Sequence, residues 1–180
     1  MDHLDLAIRF DTAAGDEGEF AGYAALWDER NAHNETVQRG AFRRSLQEHR
    51  AVGTRPVMLW SHNPAEIIGV WTEVREDEKG LAVTGKIVTT TVRGREAYDL
   101  LKAGALNGLS IGFRARGDKR GPNGIRVLTD IDVREISLVG NPSASRARIL
   151  SIRNHGRPAS AAAFVEACRK ARCALAPKGQ

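Results

Sequence analysis

Gly108-Leu109-Ser110-Ile111-Gly112 decides the fold, because its two readings lead to different architectures. The stretch fits G-x-S-x-G, the nucleophile elbow of α/β-hydrolases, in which a strand precedes the serine and a helix follows it. The flanking sequence predicts the reverse. Before it, Arg93 to Gly104 carries Ala97, Tyr98 and Leu101 at three- and four-residue spacing, continued by Ala105, with Gly104 as a C-terminal stop, so it reads as a helix. After the serine, Ile111-Gly112-Phe113 continues a strand over Leu109 to Arg114. The hydrolase order also requires an acid and then a histidine downstream, and the one downstream histidine, His155, lies in a loose basic segment. The elbow reading is rejected and the serine is kept.

Outward from that helix and strand, the chain reads as short strands punctuated by turns. Leu4 to Phe10 alternates over part of its length, Asp11 to Gly18 is a Gly- and Asp-rich turn, and Glu19 to Trp27 is a second strand making a hairpin with the first. Asp28 to Glu35 is a polar loop. Gly40 to Arg50 is a helix with Phe42 and Leu46 on one face. Val57 to Trp60 is a short apolar strand running into Ser61-His62-Asn63-Pro64, where Asn-Pro marks the turn. Glu66 to Val74 and Leu81 to Val88 are strands joined by the turn Glu76 to Gly80. Beyond Ser110, Asp118 to Gly124 is a turn, and Ile125 to Leu128 and Val133 to Val139 are the last strands. Ser143 to Pro158 is basic and irregular, and Ala159 to Ala174 is an Ala-rich helix.

No internal repeat appears. Seven or eight short strands with two or three helices predict a mainly-β or α+β domain. Its expected form is a small, mostly antiparallel β-barrel of about seven strands with a few helices packed outside. Residues 1–150 form the domain, and residues 151–180 a basic linker with a C-terminal helix or tail.

A chain of 180 residues suits one domain with a real core. The net charge of +5 would suit a nucleic-acid partner, but the cations are scattered and 6% aromatic residues leave few stacking platforms, so nucleic acid is not the main partner. No apolar run reaches the roughly 18–20 residues needed to cross a bilayer, and the acidic N-terminus lacks a signal sequence. The expectation is a soluble, cytoplasmic protein with no membrane partner. Cys168 and Cys173, five apart in one helix, suit neither a local disulfide nor a zinc site.

Serine is a poor nucleophile without a base in reach. Of five histidines, His3 is terminal, His33 sits in a polar loop, His49 at the charged end of a helix and His155 in the basic segment. His62 follows an apolar strand and precedes a rigid turn, which fixes its ring at the mouth of a core. Glu135 lies inside the apolar run Val133 to Val139, where an unpaired carboxylate is costly. Straight alternation puts it on one face with Val133, Ser137 and Val139. An imidazole would suit it, as would Arg134, Arg114 or Arg116. Each signal has a plainer reading alone: Ser110 as a small packing residue, His62 as an ordinary surface histidine, Glu135 as one half of an ion pair.

Seven stretches, in order, carry a family resemblance. They are Phe20-Ala21-Gly22-Tyr23-Ala24, then Arg39-Gly40-Ala41-Phe42 with Ser45-Leu46, then Leu59-Trp60-Ser61-His62-Asn63 leading to Ile68-Gly69. Gly80 to Gly85 and Tyr98 to Leu106 follow, then Leu109 to Phe113, and last Glu135 to Val139 with Asn141-Pro142. Together, from about residue 4 to about 150, they resemble the HK97-type prohead proteases of tailed phages and related gene-transfer particles. The resemblance implies a herpesvirus-assembly-protease-like fold and a serine endopeptidase with Ser110 as nucleophile, His62 as base and Glu135 as third member, where the herpesvirus enzymes have a second histidine. At position 63 the family often has Asp where this chain has Asn63.

The implied substrates are the scaffold, or a scaffolding segment of the major capsid protein, and the protease itself. Self-association is implied, as is a place inside the immature capsid in the host cytoplasm. No metal or cofactor is implied. The turn Gly140 to Ser145 is the candidate oxyanion site. Self-cleavage is expected near Ser143 to Pro158, with the helix Ala159 to Ala174 docking the enzyme or simply capping it. The alternative is an inactive capsid-assembly protein of the same fold.

Overall fold

The computed structural model describes residues 9–11 and 17–153. The helix expected at Ala159 to Ala174, both cysteines, His3 and His155 lie outside these residues. In chain order the elements are β1 (Arg9–Asp11), β2 (Glu19–Leu26), β3 (Glu35–Val37), α1 (Arg43–Ala51), β4 (Val57–Trp60), β5 (Asn63–Glu76) and β6 (Gly80–Ile87). Then come α2 (Val92–Lys102), β7 (Gly108–Arg120), a single 3-10 turn at Pro122–Gly124, β8 (Arg126–Val139) and β9 (Ile149–Arg153).

All nine strands among the described residues belong to one sheet, in the order β1-β9-β2-β6-β5-β4-β8-β3, with β7 on the other side of β8. Seven strands form a curled half-barrel, and the three-residue β1 and β3 lie at its margins. The curl brings distant edges together: Leu109 N–H donates to Ala147 C=O and Ile149 N–H to Asn107 C=O, at 2.9 and 3.0 Å. The core packs Phe20, Met58, Ile68, Trp71, Leu81, Leu109, Ile136 and Leu138 against Tyr98 and Leu101 of α2, Leu46 of α1 and Phe42 at the start of α1.

The mostly antiparallel expectation is corrected to a mixed sheet. The hairpins β4–β5, β5–β6 and β7–β8 are antiparallel, but β1–β9, β3–β8 and β4–β8 are parallel. Turn chemistry reports sequence neighbours, and these parallel pairs join strands far apart in the chain. The expected hairpin of the first two strands is likewise corrected: β9 lies between β1 and β2. The strand segments expected at Ile125–Leu128 and Val133–Val139, with no clear break between them in the sequence, are joined as one strand, β8.

Both expected helices form: α2 starts at Val92, one residue before the expected Arg93, and α1 at Arg43, three residues after the expected Gly40. Thr91 caps α2 by accepting the Gly94 N–H at 3.1 Å, and Gly104 ends it at φ 75°. The start of α1 has no side-chain cap of its own; the carboxylate of Glu76 on β5 accepts the Phe42 N–H at 2.9 Å and ties the helix to the sheet.

Candidate active site

The β4–β5 hairpin turns through Ser61 and His62, with Trp60 paired to Asn63. Both turn residues have positive φ, 48° and 61°, the signature of a type I′ turn. Such turns favour Asn and Gly; holding two other residues there costs about 1–2 kcal/mol each. The conformation is pinned from β8. Ser61 N–H donates to Leu138 C=O at 3.0 Å, and His62 N–H donates to Ser137 Oγ at 3.1 Å. The Asn-Pro pair, expected as the turn, opens β5 instead.

This turn places the imidazole over β8. His62 Nδ1 lies 2.5 Å from Glu135 Oε1, and Ser137 Oγ donates to Glu135 Oε2 at 2.6 Å. An ionised carboxylate only accepts, so Nδ1 carries the proton and Nε2 is left as the basic nitrogen. The His62 side chain is 44% exposed and that of Glu135 is 14% exposed. Of the arginines that could have claimed Glu135, Arg116 pairs with Glu48 and Asp132, and Arg134 with Asp132.

Ser110 reaches the same place from β7. It pairs across the ladder with Ser137, and Gly112 pairs with Glu135. Residues directly opposite in an antiparallel pair share a face, their Cβ atoms about 4.5–5.5 Å apart. Ser110 therefore stands next to the His62–Glu135–Ser137 cluster. It is 8% exposed and lines a cavity of about 410 Å³ together with His62. No hydrogen bond joins Ser110 Oγ to His62 among the described residues; catalytic bonds of this kind often close only around substrate.

Straight alternation along Val133 to Val139 fails, and the failure makes the site. Gly112 pairs with Glu135 but Phe113 with Val133, so Arg134 is a bulge. Ile131 and Val133 enter the core on one side of it, and Ile136 and Leu138 on the other. Val133 and Glu135 thus lie on opposite faces, and the carboxylate is turned out of the core toward His62.

Two contributors carry no sequence signal of their own. Ser137, fully buried, bonds both His62 and Glu135. Gly112 leaves the space the carboxylate fills: a Cβ there would collide with Glu135 Oε1. The second glycine of G-x-S-x-G serves the acid here, with no strand-to-helix elbow.

Asn141, Pro142, Ser143 and Ala144, within the expected oxyanion turn, line the same cavity as Ser110. The turn is held from the Asp28–Glu35 loop. Ala32 N–H donates to Ser143 C=O at 2.9 Å, and the Glu29 carboxylate accepts from Ser145 Oγ and from Arg146 N–H at 3.2 and 3.0 Å. His33 lines the cavity; His49 lies at a different one, of about 470 Å³, beside α1 and β5. No group of three or more His, Cys, Asp and Glu side chains among the described residues could hold a metal. No helix among them is long and apolar enough to cross a membrane.

A histidine with one ring nitrogen on a carboxylate and the other available, beside a serine at a cavity, is equipment for nucleophilic acyl transfer. The family model for caudovirus prohead serine protease matches residues 5–159, and the chain belongs to that family. It is 30% identical over 152 residues to the prohead protease of Enterobacteria phage HK97, covering 82% of this chain and 65% of that protein. It is 34% identical over 112 residues to a capsid polyprotein of Pseudomonas phage PAJU2, covering 58% of this chain and 17% of that one. The chain thus spans less than two thirds of the length of either relative. Among solved structures, the bacteriophage T4 capsid assembly protease shares the fold at TM-score 0.57 and 8% identity, over 67% of this chain and 80% of that one. A varicella-zoster virus protease aligns at TM-score 0.38 and 12% identity, over 67% of this chain and 56% of that one.

Proposed function

We propose that this chain is a serine endopeptidase of capsid maturation, with Ser110 as nucleophile, His62 as base and Glu135 as the group that orients His62. The observation that carries the reading is the 2.5 Å contact of Glu135 with His62 Nδ1, on the face where β7 presents Ser110. It fixes the tautomer that leaves Nε2 unprotonated.

His62 Nε2 takes the Ser110 proton as Oγ bonds to the scissile carbonyl carbon, and the C=O π pair moves onto oxygen. Collapse of that tetrahedral species breaks the C–N bond, and the proton passes from His62 to the leaving amine. Water then repeats the cycle on the acyl-serine and frees the acid. Glu135 stays ionised and stabilises the imidazolium. Backbone N–H groups of the Gly140–Ser145 turn are the candidate oxyanion donors.

Family membership and a relative named as a capsid polyprotein support a capsid protein, or its scaffolding segment, as substrate. Scaffold cleavage, self-cleavage near Ser143–Pro158 and self-association belong to the same proposal, as does action within the immature capsid in the host cytoplasm. Co-expressing wild type or Ser110→Ala with the capsid protein tests it. Shortened capsid protein with wild type alone is the expected result. The same products with both, or with neither, would instead favour an inactive assembly protein.

A further inference from the structure

The bulge at Arg134 is what turns Glu135 toward His62, so whatever fixes the bulge fixes the carboxylate. Backbone bonding changes phase there as the side chains do. Before the bulge, the residues bonding away from β7 are Ile131 and Val133; beyond it, Leu138 does so, accepting from Ser61 N–H. Slipping the bulge by one residue would return Glu135 to the core face.

On that edge β3 covers Arg126 to Leu128 and β4 covers Glu135 to Leu138. Between them α1 and the residues leading into it stand in for a strand. Ala41 C=O accepts the Ile131 N–H at 2.8 Å. Ser45 Oγ accepts the Val133 N–H at 3.1 Å, and His49 Nε2 lies 3.0 Å from Val133 C=O. Ser45 and His49 are four apart, one turn of the helix, and grip both backbone groups of one fully buried residue. A carbonyl only accepts, so Nε2 carries the proton, and Nδ1, 2.9 Å from Thr54 Oγ, accepts from that hydroxyl.

We infer that Ser45 and His49 are positioning residues for the catalytic carboxylate: their grip on Val133 sets the bulge that aims Glu135 at His62. This rests on the reading of Glu135 as the group that orients His62. It also gives a role to the one histidine of α1, which the chemistry does not otherwise use. Neither residue lines the cavity that holds Ser110.

The test measures how fast a fluorophosphonate probe labels Ser110 in the full chain, forming the Oγ–P bond with loss of fluoride. Substitutions are His49→Leu, Ser45→Ala and His49→Gln, each also made with Glu135→Gln. His49→Leu and Ser45→Ala should slow labelling roughly ten- to hundredfold, the scale of a misplaced catalytic group. With Glu135→Gln already present they should change it less than twofold. His49→Gln, which keeps a donor, should retain most of the rate. Unchanged labelling in the otherwise native chain, or equal slowing in both backgrounds, overturns the inference. If Glu135→Gln alone labels at the native rate, the orienting role of Glu135 is what fails. The grip is then judged from a crystal structure of His49→Leu: a displaced bulge upholds it, and an intact bulge at Arg134 with Glu135 still on His62 Nδ1 overturns it.

Discussion

Gly112→Ala should separate catalysis from folding. Gly112 pairs with Glu135, and a Cβ there would stand 2.0 Å from Oε1, 2.7 Å from Cδ and 2.8 Å from Cγ. The obstructing atoms are the end of a flexible side chain, so the backbone need not move. Restoring a 3.4 Å contact displaces Oε1 by at least 1.4 Å (3.4 − 2.0). A 1.4 Å shift along the bond to His62 stretches 2.5 Å to 3.9 Å, past hydrogen-bonding range. A charge-assisted hydrogen bond contributes about 1.5–3 kcal/mol, and a ring that is 44% exposed belongs at the lower end. A loss of about 1.5–2 kcal/mol slows the reaction roughly 10- to 30-fold. Fluorophosphonate labelling of Ser110 measures the rate, and thermal unfolding checks the fold. Native-rate labelling by a folded Gly112→Ala protein would refute the claim that the Glu135 carboxylate orients His62.

Ser137→Ala removes the partner of both Glu135 Oε2 and the strained His62 N–H. It should cost about 1–3 kcal/mol in urea unfolding and slow Ser110 labelling about tenfold or more; a fully stable, fully active variant contradicts the hub role. Asp77 closes the β5–β6 turn, accepting from Lys79 N–H, Gly80 N–H and Tyr23 Oη. Burial raises its pKa, but those hydrogen bonds and Arg75 outweigh it and hold the carboxyl below its ordinary 3.8. A depressed folded pKa contributes stability above the unfolded value and loses it as pH falls through the folded one. The urea midpoint of wild type should therefore exceed that of Asp77→Asn at pH 7, and the gap should shrink below about pH 3.8; a gap independent of pH contradicts this.

The sequence displayed the strands around Ser110, the helix before it and the apolar run into His62, because each rests on local periodicity and stop signals. It hid what depends on partners. β3 is three residues inside a polar stretch and β9 lies in a basic one; pairing with β8 and with β2 makes them strands. The turn at Ser61-His62 lacks Gly or Asn, and its backbone is held by β8, so the Asn-Pro signal pointed two residues too far along. The same holds within β8. Its composition alternates plainly enough to suggest one unbroken face, yet Ser45 and His49 bond at the point where the phase changes. Glu135 was legible as a carboxylate needing a partner; its direction was not.

The central claim is that Ser110 is a nucleophile activated by His62. Its most direct test is peptide mass spectrometry after exposure to a fluorophosphonate. The expected result is one adduct, on Ser110, lost in Ser110→Ala and nearly lost in His62→Ala. An adduct on another serine, or equal labelling of Ser110 without His62, would contradict it.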